Sequence, residues 1–80
     1  MTPNQIAFYN ALVDAYRDLF ANNPEYAYSA ARHTPESLAG KMLPGFTTGS
    51  ANYDGPGWRR ACKAVGIKAT GKATREFLKT

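Results

Sequence analysis

Seven cations, Arg59, Arg60, Lys63, Lys68, Lys72, Arg75 and Lys79, crowd the end of this 80-residue chain, and Glu76 is the one acid interspersed with them. Side chains of these types in this density suit phosphate oxygens, arginine offering a planar fork of donors and lysine a mobile point charge. At about 100° per helical residue, Lys68, Lys72, Arg75 and Lys79 project within about 60° of one another. Like charges at such spacings repel by a few tenths of a kcal/mol per pair, so the stripe costs stability and points to a partner of opposite charge. These seven residues are the candidate nucleic-acid contacts.

Support for other chemistry is thin. Ser29, His33 and Ser37 share a helical spacing, but no acid is placed to orient the imidazole and Pro35 interrupts the segment, so no hydrolase set is read. An enzyme is not expected. Cys62 lies between Arg60 and Lys63, cations that lower a thiol pKa, yet its helical phase points inward, to a buried inert residue. One cysteine closes no intrachain disulfide, and with the single His33 it falls short of a structural zinc set; neither metal nor cofactor is expected. Gly49, Gly55 and Gly57 precede a helix, but no Gly-Lys-Ser or Gly-Lys-Thr follows them, so they form no nucleotide-binding loop. Tyr53 and Trp58 flank that stretch as possible stacking platforms, Trp58 reading more readily as core. Tyr26 and Tyr28 point to different sides of a helix, which leaves one exposed.

Charge divides along the chain. Residues 1–54 carry three Lys or Arg against five Asp or Glu, and residues 55–80 carry seven against one, so a net charge of −2 is followed by one of +6. A basic module thus follows a mildly acidic scaffold, and its field reaches phosphate, anionic lipid or an acidic protein face over about a Debye length. The length allows one domain, 1–80, divided into an acidic helical scaffold over 1–46, a Gly-rich loop over 47–57 and a basic helical hairpin over 58–80. The longest uncharged run, Met1 to Val13, contains Pro3, Asn4, Gln5 and Asn10 and makes neither a membrane span nor a signal-peptide core. A cytoplasmic protein without membrane attachment is expected.

The elements that must position the cations are helical throughout. Thr2, Pro3 and Gln5 form a cap, a first helical position and a capping box, and Ile6, Tyr9, Leu12, Val13, Tyr16, Leu19 and Phe20 follow at helical spacing. Asn23-Pro24-Glu25 opens a second helix to about Arg32, and Thr34-Pro35-Glu36 a third. Leu38, Met42 and Leu43 face inward on the third, which Pro44 is expected to end near Leu43, with Phe46 packing beyond. Thr47 to Gly57 reads as a surface loop. Asp54 is expected to cap a fourth helix, Pro56 to Val65, with Trp58, Ala61, Cys62 and Val65 inward; Gly66 and Ile67 close it. Thr70 caps a fifth, Gly71 to about Lys79, with Thr74, Phe77 and Leu78 on the side away from the cations. The fold class is all-α, a compact bundle of four to five short helices.

Helices four and five, with Gly66 in the turn and Ile67 after it, resemble a helix-turn-helix. With Gly66 aligned to that family's turn glycine, Lys72 and Arg75 stand where its recognition helix carries apolar residues; a turn longer by one residue brings Ala73 into register. The stretch RRACKAVGIKATGKATREFL, with TPESLAGKM and the Gly-Ser-Ala-Asn loop, is also similar to small reading frames of tailed bacteriophages and prophages over about residues 34–79. That resemblance implies a phage-type origin, a compact fold and the host cytoplasm; it carries over no functional residue. Phage genes of this size commonly encode nucleic-acid binders or proteins that divert a host enzyme. The expected partner is nucleic acid, DNA before RNA, held by its backbone. The alternative is a host-protein inhibitor whose basic face docks on an acidic surface.

Overall fold

The computed structural model describes residues 1–80 and contains five α-helices and no strand. Helix α1 spans Pro3–Asn22; a 3-10 turn at Pro24–Tyr26 leads into α2, Ala27–Arg32; then come α3, Pro35–Thr48, α4, Pro56–Val65, and α5, Gly71–Leu78. The chain is a small all-α bundle. No helix is long and apolar enough to cross a membrane.

Local signals set most boundaries. The Thr2 hydroxyl accepts from the Gln5 amide while the Gln5 side chain accepts from the Thr2 amide, both at 3.1 Å. Thr34 and Ser37 repeat this reciprocal cap on α3, and the Thr70 hydroxyl accepts from the Ala73 amide on α5. Each such cap contributes about 0.5–2 kcal/mol. Helix α4 ends with Gly66 at φ 78°, where its amide donates to Lys63 and that of Ile67 to Cys62. This paired closure needs a left-handed residue, which glycine adopts without a Cβ penalty.

Four boundaries differ from the sequence reading. The second helix is split, because Asn23 caps a 3-10 turn before α2 begins. Helix α3 does not stop near Leu43; it runs through Pro44 to Thr48. A helical proline costs about 3 kcal/mol by losing a hydrogen bond and crowding the carbonyl four residues back. Here that carbonyl belongs to exposed Gly40, where water can serve it, and continuing the helix buries Phe46 to 1% exposure. The loop is consequently 49–55 rather than 47–57. Asp54 does not cap α4: Gly55 occupies that position, and the Asp54 carboxylate accepts from the Gly55 amide at 2.7 Å.

Helix α1 is the centre of the bundle, packed most extensively on α4 and then on α3. A helix wedged between two others needs a broad apolar face. Phe8 and Ala15, absent from the expected stripe, are buried alongside Leu12, Tyr16 and Leu19, whereas Ile6 is 45% exposed. Helix α4 comes so close that a Cβ on Gly57 would sit 2.3 Å from the Tyr16 ring, so only glycine fits there. Burial pushes the Tyr16 phenol up to about 12, with Tyr26 beside it adding to the rise. A phenol whose folded pKa exceeds its unfolded value of about 10 contributes fully below pH 10, and its contribution fades as pH climbs toward the folded value. Thermal melts between pH 9 and 12 should therefore show the native protein losing Tm more steeply than Tyr16→Phe; parallel curves would contradict this.

Candidate nucleic-acid interface

Helix α5, which carries Lys72 and Arg75 and has Lys79 at its C-cap, is fastened at its middle and at its end. Midway along it the buried Trp58 indole donates to the Thr74 hydroxyl at 3.0 Å, and Thr74 in turn donates to the Thr70 carbonyl at 2.8 Å. At its end the carboxamides of Asn4 and Gln5 donate to the carbonyls of Phe77 and Leu78 at 3.1 and 2.9 Å. The last carbonyls of a helix have no partner within it, and these two amides supply one. Sequence reasoning assigned Gln5 only to its cap. Contacts of 73 residues' separation leave no local signal.

Arg75 makes the central attachment. Its guanidinium lies 5.4 Å from the centre of the Tyr53 ring, and the Tyr53 hydroxyl donates to the Phe46 carbonyl at 2.8 Å. A Cβ on Gly71 would come within 2.7 Å of Tyr53 and 3.1 Å of the guanidinium, so the missing side chain makes room for both. Arg75 is thus half-buried and joins α5 to loop 49–55, apart from the other cations expected on its stripe. Neither Tyr53 nor Trp58 is a free stacking platform.

The remaining six expected contacts are exposed. Lys63 stands on the outer face of α4, Lys68 in the connection, Lys72 in the first turn of α5 and Lys79 at its C-cap, and none of these four makes an ion pair. Arg59 pairs with Asp54 at 3.0 Å, and Arg60 pairs with Asp18 across the α1–α4 seam. The hydrogen bonds from Arg60 and then Asn22 hold the Asp18 carboxyl below the usual carboxylate range. Both pairs are about half exposed or more, a setting in which such bridges contribute only about 0–1 kcal/mol. A phosphate can replace either carboxylate at small cost.

Helices α4 and α5 are joined by five residues, 66–70, and α5 rests on α3 and α1 more than along α4. The connection exceeds the three to four residues usual in a helix-turn-helix. Other candidates are committed elsewhere. His33 Nδ1 lies 3.1 Å from the Ser37 hydroxyl, but that hydroxyl also accepts from the Thr34 amide and donates to its carbonyl, as a cap. Cys62 is fully buried, and burial pushes its thiol up, away from thiolate chemistry. One open hollow of 290 Å³ lies between α1 and α3, lined by Met1, Gln5, Leu43, Pro44, Thr47 and Thr48; it contains none of the cations. No cluster of three or more His, Cys, Asp or Glu is placed to hold a metal ion.

Comparison with protein-family models, curated proteins and solved structures yields no match. The functional reading therefore rests on the residues themselves.

Proposed function

We propose that this protein, of phage type by its sequence resemblance, binds nucleic acid through the phosphate backbone, DNA before RNA. Lys63, Lys68, Lys72 and Lys79 are the primary contacts, Arg59 and Arg60 are a reserve held in ion pairs with Asp54 and Asp18, and Arg75 positions α5. The observation that carries this reading is the set of four exposed, unpaired lysines, one each on α4, in the connection, in α5 and at its C-cap, about a helix fastened at its middle and its end. The five-residue connection and the absence of Asn and Gln from α5 favour backbone contact over base reading. Docking on an acidic protein would need an apolar anchor beside the cations. Phe46 is buried, and Tyr26 and Tyr53 are half-buried against the core, so none of these three rings is free to serve as that anchor.

Four neutralised phosphates give a log–log salt slope of about −3.6, and nonspecific Kd values in this class are ~10⁻⁴ to 10⁻⁶ M at physiological salt. Fluorescence anisotropy of a labelled duplex between 50 and 300 mM salt tests this; a salt-insensitive complex would sink the proposal. Freeing Arg60 should add a contact. Asp18→Asn is expected to steepen the slope by about 0.9 and tighten binding several-fold, while Asp14→Asn, which removes the same charge beside Arg17, leaves the slope unchanged. Equal slopes for the two variants would contradict the reserve role of Arg60.

A further inference from the structure

Of the ten aromatic side chains, Tyr28 alone stands largely in solvent, at 69% exposure. Its ring is not idle: the Arg32 guanidinium, one helical turn on, stacks over it at 4.2 Å from the ring centre. Arg32 makes no ion pair, although Glu25 lies three residues before Tyr28. A planar cation on an exposed ring, with no acid neutralising it, is a stacking platform with a phosphate-seeking charge attached.

The start of α2 is held against the core and meets the residue that opens α4. Tyr26 anchors the start of α2 by packing on Tyr16 and Phe20 at 6.2 and 6.1 Å between ring centres. The Tyr26 hydroxyl lies 3.8 Å from where a side chain on Gly55 would begin, and Gly55 opens α4 between Asp54 and Arg59. Tyr28 lies two positions beyond that contact and on the other, solvent-facing side of the segment. Tyr53 and Trp58 are unavailable to a base, so Tyr28 is the ring left to receive one.

Resting on the nucleic-acid reading above, we infer that Tyr28 and Arg32 form a base-stacking site, and that the bound species is therefore single-stranded nucleic acid whose backbone runs on toward Arg59 and Arg60. A duplex keeps its bases stacked on one another and offers the ring nothing to stack on; a single strand presents a π-face at every nucleotide. Stacking carries no net charge transfer, so its loss weakens binding without changing the salt slope, which distinguishes it from the loss of a lysine.

The test measures a labelled oligothymidine single strand and a labelled duplex of equal length, by anisotropy at several salt concentrations, against the native chain, Tyr28→Ala and Tyr28→Trp. The expected result is tighter binding of the single strand, at least about a fivefold loss with Tyr28→Ala confined to the single strand, an unchanged salt slope, and retention by Tyr28→Trp. Circular dichroism confirms that the exposed substitution leaves the fold intact. Duplex binding with the expected slope but no Tyr28 effect, or an equal loss on both ligands, overturns the stacking site and leaves the backbone reading standing. No binding of either ligand overturns both.

Discussion

Phe8→Ala is expected to lower stability by about 3–5 kcal/mol, whereas Ile6→Ala, two residues earlier on α1, changes it by no more than about 0.5 kcal/mol. Phe8 is fully buried and meets Phe46 of α3 edge-on, with ring centres 6.0 Å apart, and Phe77 of α5 at 6.4 Å. Removing it opens a cavity where three helices join. Ile6 packs one side only and is 45% exposed. In a domain of this size each kcal/mol moves Tm by about 4–8 °C, so calorimetry should separate the two variants by more than about 10 °C. Similar Tm values would mean that the apolar face of α1 is not the one described. Because Phe77 belongs to α5, the same substitution should also loosen the cationic helix.

Replacing Lys63, Lys68, Lys72 and Lys79 together with alanine should abolish measurable nucleic-acid binding. Each neutralised phosphate contributes a factor of about eight at 0.1 M salt, so losing four costs about three and a half orders of magnitude in affinity. The fold should survive, since all four side chains are exposed and unpaired. Arg75→Ala should behave differently: its guanidinium lies on Tyr53, so the change costs stability and loop order first, and the salt slope least. A quadruple variant that still binds with the native slope would move the interface elsewhere on the molecule.

What was legible in the sequence was local. The Thr2, Thr34 and Thr70 caps and the Gly66-Ile67 closure each depend on residues within a turn of one another, and all form. The clustering of cations toward the C-terminus is likewise a property of the chain itself. What failed to show depends on neighbours distant in sequence. A single-stripe reading admitted Ile6 and passed over Phe8 because it assumed one partner for α1, which has two principal ones. Pro44 reads as a stop, and its penalty is offset only once Phe46 has a core to enter. Asp18 holds Arg60 across 42 residues, and nothing in the spacing of either announces the pair. Arg75 shares its stripe's period with the lysines, but the loop folds Tyr53 beneath it.

These differences bear on function in one direction. The seven residues expected as phosphate contacts resolve into four free lysines, two arginines held in weak pairs and one arginine packed on Tyr53. In the proposed reading the four lysines meet the phosphates first, while Arg59 and Arg60 are a reserve held by Asp54 and Asp18. On that reading fast association by long-range attraction and loose binding at physiological salt are expected.

An amide chemical-shift titration of isotopically labelled protein with a short nucleic acid in low salt is the most direct test. The account predicts shifts concentrated at Lys63, in the 66–70 connection and along the outer face of α5, with smaller changes at Arg59, Arg60 and their partners Asp18 and Asp54. Shifts centred instead on the hollow formed by Met1, Gln5, Leu43 and Thr47, or no shifts at all, would contradict it.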